Sequence, residues 1–223
     1  MRLPVALMFA AFVVTALAQP PRTDVHLFRF AGVRDAETTG AFDEFQYALH
    51  EQLKGLAQSL AHVAPEAGAL KLRRVEAPGG ALANPIDWIP SFAAEQAYWL
   101  NEGALVLLSG RMSLRPGAGL AISSRLFWGD IGAGPAGMSI DITLPLAGAY
   151  YDASKDSHAA AILYAYAMHL PEDCAREPER FALLSAAQQL ASAVVSDDAA
   201  LGTALRDRIT RTLEALERTP CAR

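Results

Sequence analysis

Residues 104–112 read Ala104-Leu-Val-Leu-Leu-Ser-Gly-Arg-Met112, and residues 120–128 read Leu120-Ala-Ile-Ser-Ser-Arg-Leu-Phe-Trp128. Both runs are dense in branched and aromatic side chains. Between them stands Arg115-Pro-Gly-Ala-Gly119, a stretch of turn formers. Two short apolar runs around such a loop are the signature of a β-hairpin. Ser139-Ile-Asp-Ile-Thr-Leu144 then alternates cleanly, with Ile140, Ile142 and Leu144 on one face and Pro145 just beyond. It supplies a further strand.

Upstream of the hairpin, residues 24–33 place Val25, Leu27, Phe28, Phe30 and Ala31 on both faces, as a central strand requires. Thr38, Thr39 and Gly40 offer helix caps, with Asp43 and Glu44 in the first turn, where the helix dipole favours acids. Phe42, Phe45, Leu49, Leu53, Leu56 and Leu60 follow at steps of three and four, so a helix over about 40–62 turns one stripe to a core. Residues 70–76 form a short strand carrying Lys71, Arg73 and Arg74, cations that belong on a sheet edge. Pro78-Gly79-Gly80 breaks the chain, and loop continues from Asn84-Pro85 to Pro90. Ser91 caps a second helix that runs to Glu102 and stops at Gly103.

Downstream of residue 150 the period becomes helical. Residues 154–170 are an alanine-rich helix. Pro178 fits the first turn of another, with Phe181, Leu184, Ala187, Leu190 and Val194 aligned. Ser196-Asp197-Asp198 opens a third, with Leu201, Leu205, Ile209, Leu213 and Leu216 on one stripe. The expected fold is therefore α+β. A mixed sheet of about five strands with two packed helices occupies 24–147, and a C-terminal helical subdomain occupies 152–218.

The 223 residues are 52% hydrophobic and 19% charged, with a net charge of −5, which excludes the basic footprint of a dedicated nucleic-acid binder. Arg2, an apolar run over residues 3–17 and Ala16-Leu17-Ala18 have the layout of a secretory signal peptide (1–18) cleaved after Ala18. The run is short for a membrane span, which needs roughly 20 residues, and no later run is longer. These features predict a periplasmic protein without a transmembrane span in the mature chain. Cys174 and Cys221 are the two cysteines, and in an oxidising compartment an even count predicts a disulfide between them. Neither belongs to a C-x-x-C pair.

The chemical motifs are weak. Gly132-Ala-Gly134-Pro-Ala-Gly137 matches G-x-G-x-x-G in form, yet it precedes a strand rather than opening a helix, and Pro135 interrupts it. His50-Glu51-Gln52-Leu53-Lys54 places a cation where a zinc helix needs its second histidine. His158 and His169 lie about three helical turns apart, too far to share an ion. No G-x-S-x-G elbow occurs. Asp152, Ser154 and His158 gather triad residue types within a few positions, but capping of the following helix explains them as well. No metal, cofactor or small-molecule ligand is expected. Trp88 in a proline-flanked loop, Trp128 at a strand end and the Tyr150-Tyr151 pair are the candidates for a partner-binding patch.

The order strand, helix, strand, helix, hairpin has a recognisable phrasing. It opens with Val25-His-Leu-Phe-Arg-Phe-Ala-Gly32 and continues with the helix across 44–59. It ends with Gly103-Ala-Leu-Val-Leu-Leu-Ser-Gly-Arg-Met112 paired to Leu120-Ala-Ile-Ser-Ser-Arg-Leu-Phe-Trp-Gly-Asp130. Over residues 24–131 this resembles the amino-terminal α/β domain of TolB-like periplasmic proteins. The resemblance implies a non-enzymatic protein that binds envelope partners and brings no catalytic residues with it. No β-propeller follows, and the helical tail belongs to no pattern of that group. The expected function is an exported binding or assembly-accessory protein that docks an envelope protein. Two docking devices suggest themselves, the 70–76 edge strand and the aromatic patch. The alternative is a periplasmic hydrolase using the Asp152, Ser154 and His158 region.

Overall fold

Arg115 stands opposite Gly119, and the ladder runs back from there until Val106 faces Trp128. The hairpin drawn by the sequence is thus the centre of the sheet. The computed structural model describes residues 23–65, 67, 70–75, 103–115, 119–128, 136–144, 150–193 and 199–218. Within them the elements are β1 Asp24–Phe28, α1 Ala36–Leu60, β2 Lys71–Val75, β3 Ala104–Arg115, β4 Gly119–Trp128, β5 Ala136–Leu144, α2 Tyr150–His169, α3 Glu177–Ala193 and α4 Ala199–Arg218. The strands form one mixed sheet in the order β2-β1-β3-β4-β5. β1 is parallel to both its neighbours, while β3, β4 and β5 are antiparallel in succession.

β1 is shorter than the strand expected over 24–33. It ends at Phe28, and the chain then lies against β3 again through an isolated bridge between Ala31 and Arg111. Ala31 donates its amide to the Gly110 carbonyl at 2.8 Å, and Met112 donates to the Ala31 carbonyl at 2.8 Å. Gly32 makes the bend at φ +86°, and a Cβ there would stand 2.1 Å from the Met112 carbonyl oxygen. Only glycine accommodates both that dihedral and that approach.

α1 begins at Ala36, four residues before the expected start. Its cap is Asp35, not the Thr38-Thr39-Gly40 stretch. The Asp35 carboxylate accepts from the Thr38 amide at 2.8 Å, and the Thr38 hydroxyl accepts from the Asp35 amide at 3.3 Å. This reciprocal capping box satisfies two of the amides a helix start leaves open. Phe42, Phe45, Leu49 and Leu53 are buried along one stripe, as the spacing requires.

Parity along each strand decides which face it offers. Val25 and Leu27 of β1, Val106, Leu108 and Met112 of β3, and Leu120, Ile122, Leu126 and Trp128 of β4 share the core with α1 and α2. The opposite face carries a small buried cluster of Phe28, Val75, Ala104 and Leu107. Further along that face Arg111 and Arg125 are exposed.

The C-terminal helices differ from the subdomain expected over 152–218. α2 packs on α1 and on the sheet, α3 packs on α2, and α4 packs on α3. Their buried side chains belong to the same continuous core as the strands. α2 is the central helix of the molecule: every residue from 159 to 167 is buried, most of them alanine. A helix apolar all round has no stripe because it has no solvent face. Small side chains let it approach layers on two sides. In α3 the buried positions are Leu183, Leu184, Ala187 and Ala191, whereas Phe181, expected in the stripe, is 42% exposed. Leu205, Ile209 and Leu213 of α4 are buried as their spacing predicts.

The signal-peptide segment 1–18, the 78–90 loop and the helix expected over 91–102 lie outside the described residues. Among the described residues no helix is long and apolar enough to cross a membrane.

Candidate functional site

The candidates from the sequence separate once placed in the fold. Trp128 is not part of an exposed patch. It is 4% exposed and meets Tyr164 of α2 edge to face, with ring centroids 5.9 Å apart. Its position explains this, because it shares parity with Leu120, Ile122 and Leu126 and therefore faces the helices. That parity was the available signal. Tyr150 and Tyr151 are the first residues of α2, which begins four positions before the expected start at 154. Trp88 lies outside the described residues.

His158 is likewise removed from surface chemistry. It is fully buried, and its Nε2 meets the Ser124 Oγ of β4 at 2.5 Å. Its ring stands edge-on to Phe45 of α1 at a centroid distance of 5.0 Å. The serine it engages is thus not Ser154 but a residue of the sheet. Serine and histidine together bridge three layers, sheet to α2 to α1. A polar residue at a core-facing strand position requires a buried partner, and β4 gives that signal at Ser124, although the sequence does not say which residue answers it. Opposite Ser124 on β3 stands Gly110, where a Cβ would come within 2.6 Å of the Phe30 ring. The missing side chain is the space that ring occupies. Asp152 and Ser154 share α2 with His158, but the base a hydrolase would need is enclosed by the core.

At the turn between α2 and α3 the acids and bases hold the helices. Arg180 is 6% exposed, donates from Nε to the Ala167 carbonyl at 3.3 Å and reaches Glu172 at 3.4 Å. A cation at the C-terminal carbonyls of α2 complements the helix dipole. Arg176 pairs with the nearly buried Glu179 at 2.7 Å. Cys174 sits exposed in this turn, and Cys221 lies outside the described residues. A groove of about 330 Å³ between α1 and α3 is lined by Leu56, Leu60, Ala186 and Leu190 with Ser185 and Gln189, and no charged side chain enters it.

One surface matches its expectation in position and chemistry. β2 is the outermost strand on its side of the sheet, and among the described residues it pairs with β1 alone. Lys71, Arg73 and Arg74 are exposed along it, while Val75 is buried. Lys71 donates its amide to the Thr23 carbonyl at 3.0 Å, which turns residues 71, 73 and 75 towards β1. In a parallel ladder the alternate residues then direct their backbone groups outward, so Leu72 and Arg74 turn amide and carbonyl away from β1, to a side where no strand pairs among the described residues. The side chains are held in place. Arg73 pairs with Asp24 at 2.8 Å, and Arg74 pairs with Asp43 at 3.2 Å while its guanidinium lies 5.5 Å over the Phe42 ring. Leu72 anchors the strand by packing against the main core.

His26, across from Arg73 in the ladder, is 8% exposed. Burial lowers its pKa from the ordinary 6.5, nearby Asp24 opposes that effect, and Arg73 adds to it.

No family model, curated protein or solved structure matches the chain.

Proposed function

We propose that this chain is an exported, non-enzymatic binding or assembly-accessory protein of the periplasm that docks an envelope protein through the free edge of β2. The observation that carries the reading is that edge: backbone groups turned outward at Leu72 and Arg74, on a strand whose side chains are fixed by ion pairs and core contacts. A pre-ordered edge strand loses little conformational freedom when a partner strand completes it. The amino-terminal signal layout supports export. The strand and helix order over 24–131 supports a TolB-like domain, whose members act by binding. The burial of Trp128 moves the docking device from the aromatic patch to the edge.

The same reading includes a disulfide between Cys174 and Cys221. The chain has two cysteines, and among the described residues none is free. The bond would tie the turn between α2 and α3 to the segment that follows α4.

Two measurements test the proposal. Amino-terminal sequencing of the mature protein from an expressing bacterium is expected to begin at Gln19, and a product retaining Met1 in the cytoplasm would refute export. Crosslinking in intact cells through a photoreactive residue at exposed position 71 is expected to capture one envelope protein reproducibly, whereas the same probe at exposed Tyr47 captures none. Equal yields from both positions would refute the edge as the docking device.

A further inference from the structure

The edge of β2, unpaired on its outer side among the described residues, is also cationic, and this bears on what can complete it. Lys71, Arg73 and Arg74 stand in a strand of five residues, all three exposed. Asp24 and Asp43 engage the two arginines, and among the described residues Lys71 has no ion pair, which leaves the edge with an excess of positive charge. The arginines retain further donors, since a guanidinium has five N–H groups and each pair uses few of them.

A second copy of the chain is the wrong occupant. Antiparallel pairing of β2 with β2 would set at least one cation opposite another in each register, Arg73 on Arg73, Lys71 on Arg73 or Arg74 on Arg74, and like charges directly opposite in a ladder are destabilising. Edge lysines and arginines protect sheets from self-association in this way. The same arrangement favours one class of partner, a strand bearing acids where the edge bears bases. By alternation Lys71 and Arg73 flank one face and Arg74 the other, so acids on both faces of the incoming strand find a cation.

We infer that β2 accepts an acidic extended segment of the partner protein, which adds as a further strand by bonding to the outward amides and carbonyls of Leu72 and Arg74. Acidic side chains of the segment face Lys71 and Arg73 on one side of the sheet and Arg74 on the other. The inference rests on the proposed edge docking and supplies the chemistry of the partner. It also assigns a role to the two existing ion pairs. By holding Arg73 towards β1 and Arg74 towards α1 they keep the outward backbone clear, and both arginines can turn a remaining donor to the incoming carboxylates.

The test uses the purified full mature chain with two short blocked peptides, one carrying adjacent glutamate pairs separated by valine and threonine so that acids fall on both faces of the extended strand, the other with lysine in place of every glutamate. The glutamate peptide is expected to bind, to weaken as salt is added, and to slow amide exchange at Leu72 and Arg74. The lysine peptide is expected not to bind. Reversal of the edge in the Lys71→Glu/Arg73→Glu variant should weaken the glutamate peptide roughly tenfold or more and admit the lysine peptide, because attraction becomes repulsion at two positions. Lys71→Glu alone, at a side chain with no ion pair to lose, should give a smaller shift in the same direction. Absence of binding, equal binding of both peptides, or unchanged exchange at Leu72 and Arg74 under saturation would each overturn the inference. So would self-association of the chain through β2. Capture of an envelope protein at position 71 together with failure of the glutamate peptide would leave the docking edge standing and remove only the acidic partner.

Discussion

Four residues at three places carry more of this structure than their size suggests. Gly32 combines φ +86° with a contact that no side chain can share, since a Cβ would meet backbone rather than a movable group. Gly32→Ala should therefore destabilise the chain by about 2 kcal/mol or more, from strain and clash together, and a urea titration would show it as a lower midpoint. The Ser124–His158 couple is a second case. Ser124→Ala should cost roughly 1–3 kcal/mol by leaving a buried ring nitrogen short of its partner. His158→Ala should cost more, about 2–5 kcal/mol, because it also opens a cavity beside Phe45. The two losses should not add in the double variant, which a double-mutant cycle would measure. His26 is the third. Burial holds its pKa below 6.5, so the unfolded chain takes up a proton that the folded chain resists. Its contribution to stability is constant above the unfolded pKa and declines as pH falls from about 6.5 towards the lowered folded value. Denaturant midpoints across pH 7 to 5 should fall in the parent chain and fall less in His26→Gln.

At the scale of elements, α1 depends on its first turn. The Thr38 amide and hydroxyl lower the pKa of Asp35, so the cap is strongest with the carboxylate ionised. Asp35→Ala should lower the melting temperature at neutral pH. The difference from the parent should shrink in acid, as the folded-state carboxylate of the parent becomes protonated. α2 illustrates how an element can be read correctly in kind and misplaced in role. Its alanine run announces a helix, but a run with no polar stripe also announces a helix without a solvent face, and residues 159–167 are buried on every side. α4 is the reverse: Leu205, Ile209 and Leu213 form a single stripe, and the helix rests mainly on α3, with a smaller contact to α2. Ile209→Asp should place an unpaired charge in that contact. Amide exchange should then loosen first in α4 and α3, with β1 and β3 still protected.

At the scale of the whole molecule, the chain builds one core from sheet, α1 and α2, with α3 and α4 layered outside, and leaves β2 as a margin. The proposed Cys174–Cys221 bond would close the outermost layer onto the turn that holds α2 to α3. Reduction of the native chain should then lower its stability by up to roughly 4 kcal/mol in the chain-entropy account. Cys174→Ser should reproduce that loss, and dithiothreitol should have no further effect on the variant. Unchanged unfolding on reduction would count against the bond.

The sequence by itself determined the strands of the hairpin, the stripes of α1 and α4, and the edge character of β2. Each is a local pattern. Alternation, a three-four spacing and three cations in a short strand are legible in neighbouring residues without knowledge of distant ones. The inward face of Trp128 is legible too, through parity with Leu126, although tryptophan at a strand end also fits a partner-binding patch. Only the tertiary structure decided that β1 ends at Phe28, that α2 is central, and that His158 answers Ser124 across 34 residues of chain. Those outcomes depend on which surfaces meet. A buried hydroxyl must be satisfied wherever its partner comes from, and a helix of small side chains takes its place from the layers that close around it. No spacing within one segment encodes either result.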